Sequence, residues 1–413
     1  MPGQIITNGA TNGAVNQKET LPKELVDEMQ RLFGKHPGYR TTHAKGLLVE
    51  GCFTPTDQAK DLSIAAHFNN PSTPVIARFS VGGGIPHIAD TDDNATPKGL
   101  AVRFLVDEDT HTDLVSHTFN GFATSTGEDF LSFLQVFRAF QTAQAAVNRA
   151  KAAGADLTKP TADLKAATGP FQAFLASHPS AATFVSSPKP NPLNYGTITY
   201  WEPNTHVLTN TDGKVTNVRY RIDPADGEHL YPNDDTLSKL DQSYLAEDLM
   251  QRFPEKPIVF TIQAHIADPD DILDDATVPY KSTTFVPVGK LVINKVSDDN
   301  AAKQQQIAFS PTPDLGGIQG IAASKDPLIQ ARKGVYFISA DQRRHEKQVD
   351  ASTVKGYVFF SSTRNKTPYL ALIRYHAYTD ISYDISLYYT SGSIALRLAK
   401  SSLLGSGRVN GTA

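Results

Sequence analysis

TITYWEPNTHVLTNTDGKVTNVRYRID, residues 197–223, decides the architecture. Two runs rich in Thr, Val, Ile, Tyr and Trp flank the short connection NTDGK at 210–214. Branched and aromatic side chains fit a pleated surface, and Asn, Asp and Gly tolerate the backbone angles of a tight reversal. The stretch reads as two antiparallel strands joined by a hairpin. The same pattern extends outward on both sides. Toward the C-terminus come IVFTIQAHIA (258–267) and GKLVINKV (289–296). Toward the N-terminus lie THAKGLLVEGCF (42–53), PVIARFSV (74–81), GLAVRFLV (99–106) and DLVSHTF (113–119). Eight short strands at hairpin-like spacing, in two groups of four, predict an antiparallel barrel rather than a parallel sheet.

Helical periodicity interrupts the strands at LPKELVDEMQRLFG (21–34), at 128–153 and at DQSYLAEDLMQRF (241–253). An Ala/Lys/Thr-rich stretch follows 153 to about residue 170, and GPFQAFLASHP predicts a short helix ending at Pro179. The expected fold class is α+β: an eight-stranded antiparallel β-barrel with a wrapping segment and peripheral α-helices. Residues 1–20 are polar and Gly/Asn/Thr-rich and are expected to form a flexible arm. The barrel domain spans 21–345, with a helical insertion at 128–187 and a long, irregular wrap over 297–345. The segment 346–413 is expected to be partly helical, over roughly 380–404.

The 413 residues are 40% hydrophobic and 20% charged, so a large core can be buried. A net charge of −4 argues against nucleic acid or an anionic membrane surface as partner. No apolar run approaches a membrane span, and no apolar leader or peroxisomal C-terminal address is evident, so a cytoplasmic protein is expected. The single cysteine, Cys52, sits in LLVEGCF and reads as a core residue.

Four patches carry chemistry: YRTTHAKG (39–46), ARFSVGGGIPHIADTDDNATPKGLAVRF (77–104), DLVSHTFNGFATSTGEDF (113–130) and DPLIQARKGVYFISADQRR (326–344). The glycine run in the second lacks the Gly-Lys-Ser/Thr ending of a phosphate loop. ADPDDILDDAT (267–277) lacks the Gly and Glu of a calcium loop and reads as a solvated acidic loop. His43, at a strand start, is expected to point inward by alternation. Arg332 and Tyr336 are four residues apart, one helical turn, so the guanidinium can reach the phenol oxygen. A fixed positive charge favours phenolate over phenol, and phenolate is a hard anionic iron ligand.

In their order along the chain, RTTHAKG, RFS, PKGLAVRF, DLV and DPLIQARKGVYFISADQRR resemble the catalase-like haem family, over residues from about 36 to about 345. RYRIDPADGEHL, DDILDDATVPY and FVPVGKLVINKV make the chain more similar to short catalase-related peroxidases than to full-length catalases. The resemblance implies haem b as cofactor, a hydroperoxide as substrate and a homo-oligomer. It implies His43 as the distal histidine, which takes a proton from the peroxide and returns it to the leaving oxygen. It implies Tyr336 as the iron ligand, with Arg332 behind it. Arg40, Arg78 and Arg343 match positions that pair with haem propionates, Ser80 a serine supporting the distal histidine, and Phe130 an aromatic packing on the haem.

Two positions depart from the catalase pattern. His117 stands where catalases carry a distal Asn, and Asn120 could serve only if the strand bulges. Thr42 stands where most catalases have Val, as in the allene oxide synthase branch, whose members rearrange fatty-acid hydroperoxides. A hydroxyl there either hydrogen-bonds the imidazole or is simply a branched strand residue. Three functions are therefore weighed: a haem hydroperoxidase of catalase or peroxidase type, a haem hydroperoxide isomerase or dehydratase, and a haem-binding protein without turnover.

Overall fold

The structure, a computed structural model, describes residues 12–232, 235–346, 371–376, 382–390 and 393–401. Its centre is a barrel of β1 (Gly46–Pro55), β2 (Thr73–Ser80), β3 (Gly99–Leu105), β4 (His111–His117), β5 (Tyr200–Thr209), β6 (Val215–Pro224), β7 (Ile258–Ile266) and β8 (Phe285–Val296). Each strand pairs antiparallel with the next, and β8 returns to β1. The β4–β5 seam is closed by one residue pair, His117 with Trp201. The hairpin at 197–223 forms β5 and β6. In its turn Gly213 adopts a φ of 76°, and the Asn210 side chain accepts from the Asp212 and Lys214 amides.

Alternation sets the faces. On β7, Ile258, Phe260, Ile262 and Ala264 are buried while the residues between them are half-buried. Phe53, Phe79, Phe104, Tyr200, Ile222 and Phe260 fill the interior. Truncating one such phenylalanine to Ala costs about 3–5 kcal/mol.

The helices are α1 (Asn12–Phe33), the single turns α2 (Ala59–Leu62) and α3 (Ala66–Asn69), then α4 (Gly127–Ala152), α5 (Thr158–Ser177), α6 (Pro179–Ser186), α7 (Tyr244–Arg252), α8 (Asn300–Gln306) and α9 (Pro327–His345). A second apolar cluster, including Leu25, Met29, Phe133, Phe171, Ala331 and Val335, joins α1, α4, α5 and α9. The wrap is tied to the barrel by Asp113. Its carboxylate takes both Arg103 nitrogens at 2.8 and 2.7 Å and accepts from the Ser310 amide at 2.8 Å.

Several expectations are corrected. The arm is helical from Asn12, and residues 1–11 lie outside the described set. The Ala/Lys/Thr-rich stretch belongs to α5, whose Pro170 sits inside the helix. The wrap is less irregular than its Gly and Pro content suggests, for it holds α8, a ninth strand β9 (Ile321–Ala323) paired to β5, and α9. Cys52 is half-buried rather than in the core, because its neighbour Phe53 takes the inward position on β1.

Residues 348–413 cluster as a separate unit. There the expected helix over 380–404 is replaced by strands β10 (Ala371–His376), β11 (Ser382–Thr390) and β12 (Ser393–Ser401), which form an antiparallel sheet. Tyr383, Ile385, Leu387 and Tyr389, then Ile394, Leu396 and Leu398, recur at every second residue, which is the strand period.

Candidate active site

A cavity of about 820 Å3 is lined by the ends of β2–β5 and by α1, α4, α5, α6 and α9. That is near the upper end of the range for small-molecule pockets, about 300–1,000 Å3. Gly46, Ser80, Gly99, His117 and Trp201 are successive cross-strand partners from β1 to β5, so they form one row on a common face. Ser80, Gly99, His117 and Trp201 line the cavity.

His43 lies outside β1, so strand alternation does not set its direction. It precedes β1 with a φ of 52°, in the left-handed region, and lines the cavity. Such a conformation is uncommon outside glycine and marks functional sites. Its Nδ1 lies 3.1 Å from Ser80 Oγ, and the imidazole also hydrogen-bonds the Val81 backbone. Burial, then the positive charges of Arg78, Arg332 and Arg40, push the imidazole from its ordinary 6.5 to about 4. It is therefore neutral, and able to accept a proton, at physiological pH. Gly99 makes the pairing possible: a Cβ there would stand 2.7 Å from Ser80 Oγ and 2.9 Å from His43 Nδ1.

His117 ends β4 and lines the cavity, with Nδ1 accepting from the Phe119 amide at 3.2 Å. Burial, then Arg332 and His43, push it to about 3. β4 pairs with β3 residue for residue through His117 with no bulge, and Asn120, exposed just beyond the strand, lines the same cavity. Thr42 lines the cavity, but its hydroxyl makes no hydrogen bond to His43. Phe130, in the first turn of α4, packs on Phe122 with ring centres 5.2 Å apart.

Three guanidiniums gather around the C-terminal end of α8. Arg40 donates to the carbonyls of Gln304 and Ile307. Arg343 donates to those of Gln304, Gln305 and Ile307. Arg78 donates to Gln304 Oε1 at 2.7 Å and to the His43 and Ala44 carbonyls. None of the three has a carboxylate partner among the described residues. Burial lowers all three from the ordinary 12.5: Arg78 to about 9, Arg343 to about 10, and Arg40 well down, with repulsion from Arg78 and Arg343 adding to it. Such a cluster suits a ligand carrying carboxylates, which guanidinium grips bidentately.

On α9, Arg332 Nη2 donates to Tyr336 Oη at 3.3 Å, the contact their spacing predicts. Arg332 is buried, yet its charge is stabilised, because Tyr336 and Glu202 outweigh the desolvation. Behind it, Asn204 accepts from Arg332 and donates to Asp326 at 2.8 Å. No motif marks this layer in the sequence. It depends on an irregularity in β5 between Glu202 and His206, which re-aims Asn204 out of the ladder. Gly99 and Gln304 were missed as well, since neither residue type carries a catalytic signature.

Comparisons place this geometry in a family. A catalase family model matches residues 21–352. The catalase-related peroxidase of Mycolicibacterium paratuberculosis is 29% identical over 325 residues, spanning 78% of this chain and 94% of that protein. The catalase-related peroxidase of Synechococcus elongatus is 27% identical, spanning 78% and 88%. Among solved structures, a bacterial catalase superposes with a TM-score of 0.60 at 20% identity, covering 89% of this chain and 69% of that one. Catalase A from Saccharomyces cerevisiae gives 0.60 at 20% identity, covering 83% and 68%. These two show the shared barrel. With four-strand meanders on either side of the helical insertion, and a family match over most of its length, this chain belongs to the catalase family of haem oxidoreductases.

Proposed function

We propose that the cavity binds haem b and that the protein turns over hydroperoxides at it. The carrying observation is the trio of cations Arg40, Arg78 and Arg343, the first half-buried and the other two buried, without carboxylate partners among the described residues, on the cavity that also holds His43 and Tyr336. A dianionic haem would meet that need: the guanidiniums would take its two propionates and Tyr336 would ligate its iron. Arg332 donates to the phenol oxygen, and Phe130 would pack on the ring system. When bound, the haem supplies the redox chemistry of O–O cleavage.

The chain's own residues supply the proton chemistry. His43 stays neutral above about pH 4, so its Nε2 takes the proton of an incoming hydroperoxide and returns it to the leaving oxygen. Ser80 hydrogen-bonds Nδ1 and so fixes the ring's aim. His117 serves as the second distal group. With Nδ1 accepting from Phe119, its Nε2 is the protonated nitrogen and can donate to the peroxide.

One observation favours an organic hydroperoxide over hydrogen peroxide. Phe133, Phe137, Phe140, Phe171, Phe184 and Leu134 carry the cavity into α4, α5 and α6. Apolar walls add binding energy for a carbon chain, about 25 cal/mol per Å2 buried, and none for hydrogen peroxide. Such a substrate would be reduced to its alcohol and water by an external two-electron donor, or, with no donor, rearranged to an epoxide. The test is parallel turnover by the haem-loaded protein. Oxygen release from hydrogen peroxide alone marks a catalase. Faster consumption of a polyunsaturated hydroperoxide, with its product identified, marks the organic reading. Failure to retain haem would overturn the proposal, and tight haem without turnover of either substrate would reduce it to a binding function.

A further inference from the structure

Glu202 is a buried carboxylate that the proposed chemistry does not use. It is 1% exposed, on β5 inside the seam of the barrel. Its Oε2 accepts from the Val115 amide at 2.8 Å, standing in for a ladder bond where β4 and β5 diverge beyond their single residue pair. Its Oε1 has no hydrogen-bond partner and lies 3.8 Å from Arg332 Nη1. The same guanidinium holds Tyr336 with its other terminal nitrogen. One cation thus stands among three acceptors, the Asn204 amide oxygen and the Glu202 carboxylate behind and a phenol oxygen in front.

We infer that Glu202 is a positioning residue for the iron ligand: its charge draws Arg332 back from Tyr336 and so sets how strongly the phenolate donates to haem iron. This rests on the haem reading of the cavity. The purely structural alternative is that Glu202 only satisfies the Val115 and Asn204 amides. A neutral amide would do that equally well and would avoid the cost of a buried charge.

The surroundings define when the charge is present. Burial raises the carboxyl from 4.5 to about 7, against the pull of Arg332, the Val115 and Asn204 amides and Arg219. Tyr220, its cross-strand partner on β6, has its own ionisation pushed upward by burial and by Glu202. Asp326 acts on the same guanidinium through its charge. His206, farther along β5, is held neutral down to about 3 by burial and Arg332. Of Glu202, Tyr220 and His206, Glu202 is the group that changes charge near neutrality, and burial raises the Asp326 carboxyl as well.

Glu202→Gln keeps an oxygen for Val115 and removes the charge, and Glu202→Asp restores it. In the haem-loaded protein we expect the iron(III)/iron(II) potential of wild type to fall between pH 6 and 8.5. In Glu202→Gln it should be higher than wild type at pH 8.5, equal at pH 6, and flat between. Glu202→Asp should regain the slope. A wild-type potential without this slope, or a Glu202→Gln potential that tracks wild type at both pH values, overturns the inference while leaving haem binding intact. The wild-type slope needs no variant to fold. The apoprotein gives a second reading that does not need haem. An acid whose folded pKa is raised holds its proton more tightly when folded, so stability falls as pH rises through the interval from the unfolded to the folded value. The denaturation midpoint of wild type should therefore drop relative to Glu202→Gln between about pH 4.5 and 7. A constant gap would mean that Glu202 carries no charge against Arg332. Loss of haem from wild type would instead count against the haem reading, and the apoprotein comparison would still decide the charge.

Discussion

Gly99→Ala is the sharpest probe of the distal side, because it touches the chemistry without removing a catalytic group. The added methyl would sit 2.7 Å from Ser80 Oγ and 2.9 Å from His43 Nδ1. Ordinary contact begins at about 3.5 Å, so the imidazole and hydroxyl must recede by about 0.5–1 Å. Their 3.1 Å hydrogen bond cannot survive that displacement on both sides. The stability cost is that of a tight insertion, about 1–3 kcal/mol. The catalytic cost is larger, since a misplacement of about 1 Å can lose about 100-fold and a positioned acid–base group is worth about 100- to 10,000-fold. The expected outcome is a folded protein that retains haem and has lost at least about 100-fold in kcat for its best hydroperoxide. The assay is steady-state turnover normalised to haem content, with thermal unfolding as the control. Turnover within threefold of wild type would refute the claim that the Ser80–His43 pairing aims the proton-transferring nitrogen.

Other expectations follow from single residues. His67 is 2% exposed, packs on Phe104 with ring centres 4.6 Å apart, and is pushed from 6.5 to about 3 by burial. The unfolded chain binds its proton first on acidification, so wild type should lose about 2 kcal/mol relative to His67→Phe between pH 7 and pH 5, read by denaturant unfolding; parallel pH curves would contradict this. Asp113→Ala strands Arg103 and frees the Ser310 amide, so it should cost about 3–5 kcal/mol and open the wrap near residue 310 to proteases. Unchanged proteolysis would show that the wrap is held elsewhere. Thr42→Val should change hydrogen peroxide turnover by less than about threefold, because His43 Nδ1 is already taken by Ser80; a tenfold rise would put the hydroxyl on the imidazole.

How much of this was legible in the sequence depends on range. The 210–214 turn and the eight branched runs carry their structure locally, so the barrel was readable from residues 42–296. The Arg332–Tyr336 contact is one helical turn and was readable too. What failed was decided by neighbours distant in the chain. Pro160 and Pro170 disguised α5, which packs on α4 through aromatic contacts such as Phe140 on Phe171. The orientation of His43 depends on a left-handed residue before β1, and no motif marks a histidine for that. Glu202 and Asn204 read as ordinary strand residues until the irregularity in β5 sets them against a helix more than 120 residues away.

The central claim is that Tyr336 ligates haem iron in this cavity. It is tested most directly by the absorption spectrum of the haem-loaded protein beside that of Tyr336→Phe. The account predicts a high-spin ferric spectrum with phenolate ligation in wild type and its loss in the variant. An unchanged spectrum in Tyr336→Phe would contradict it.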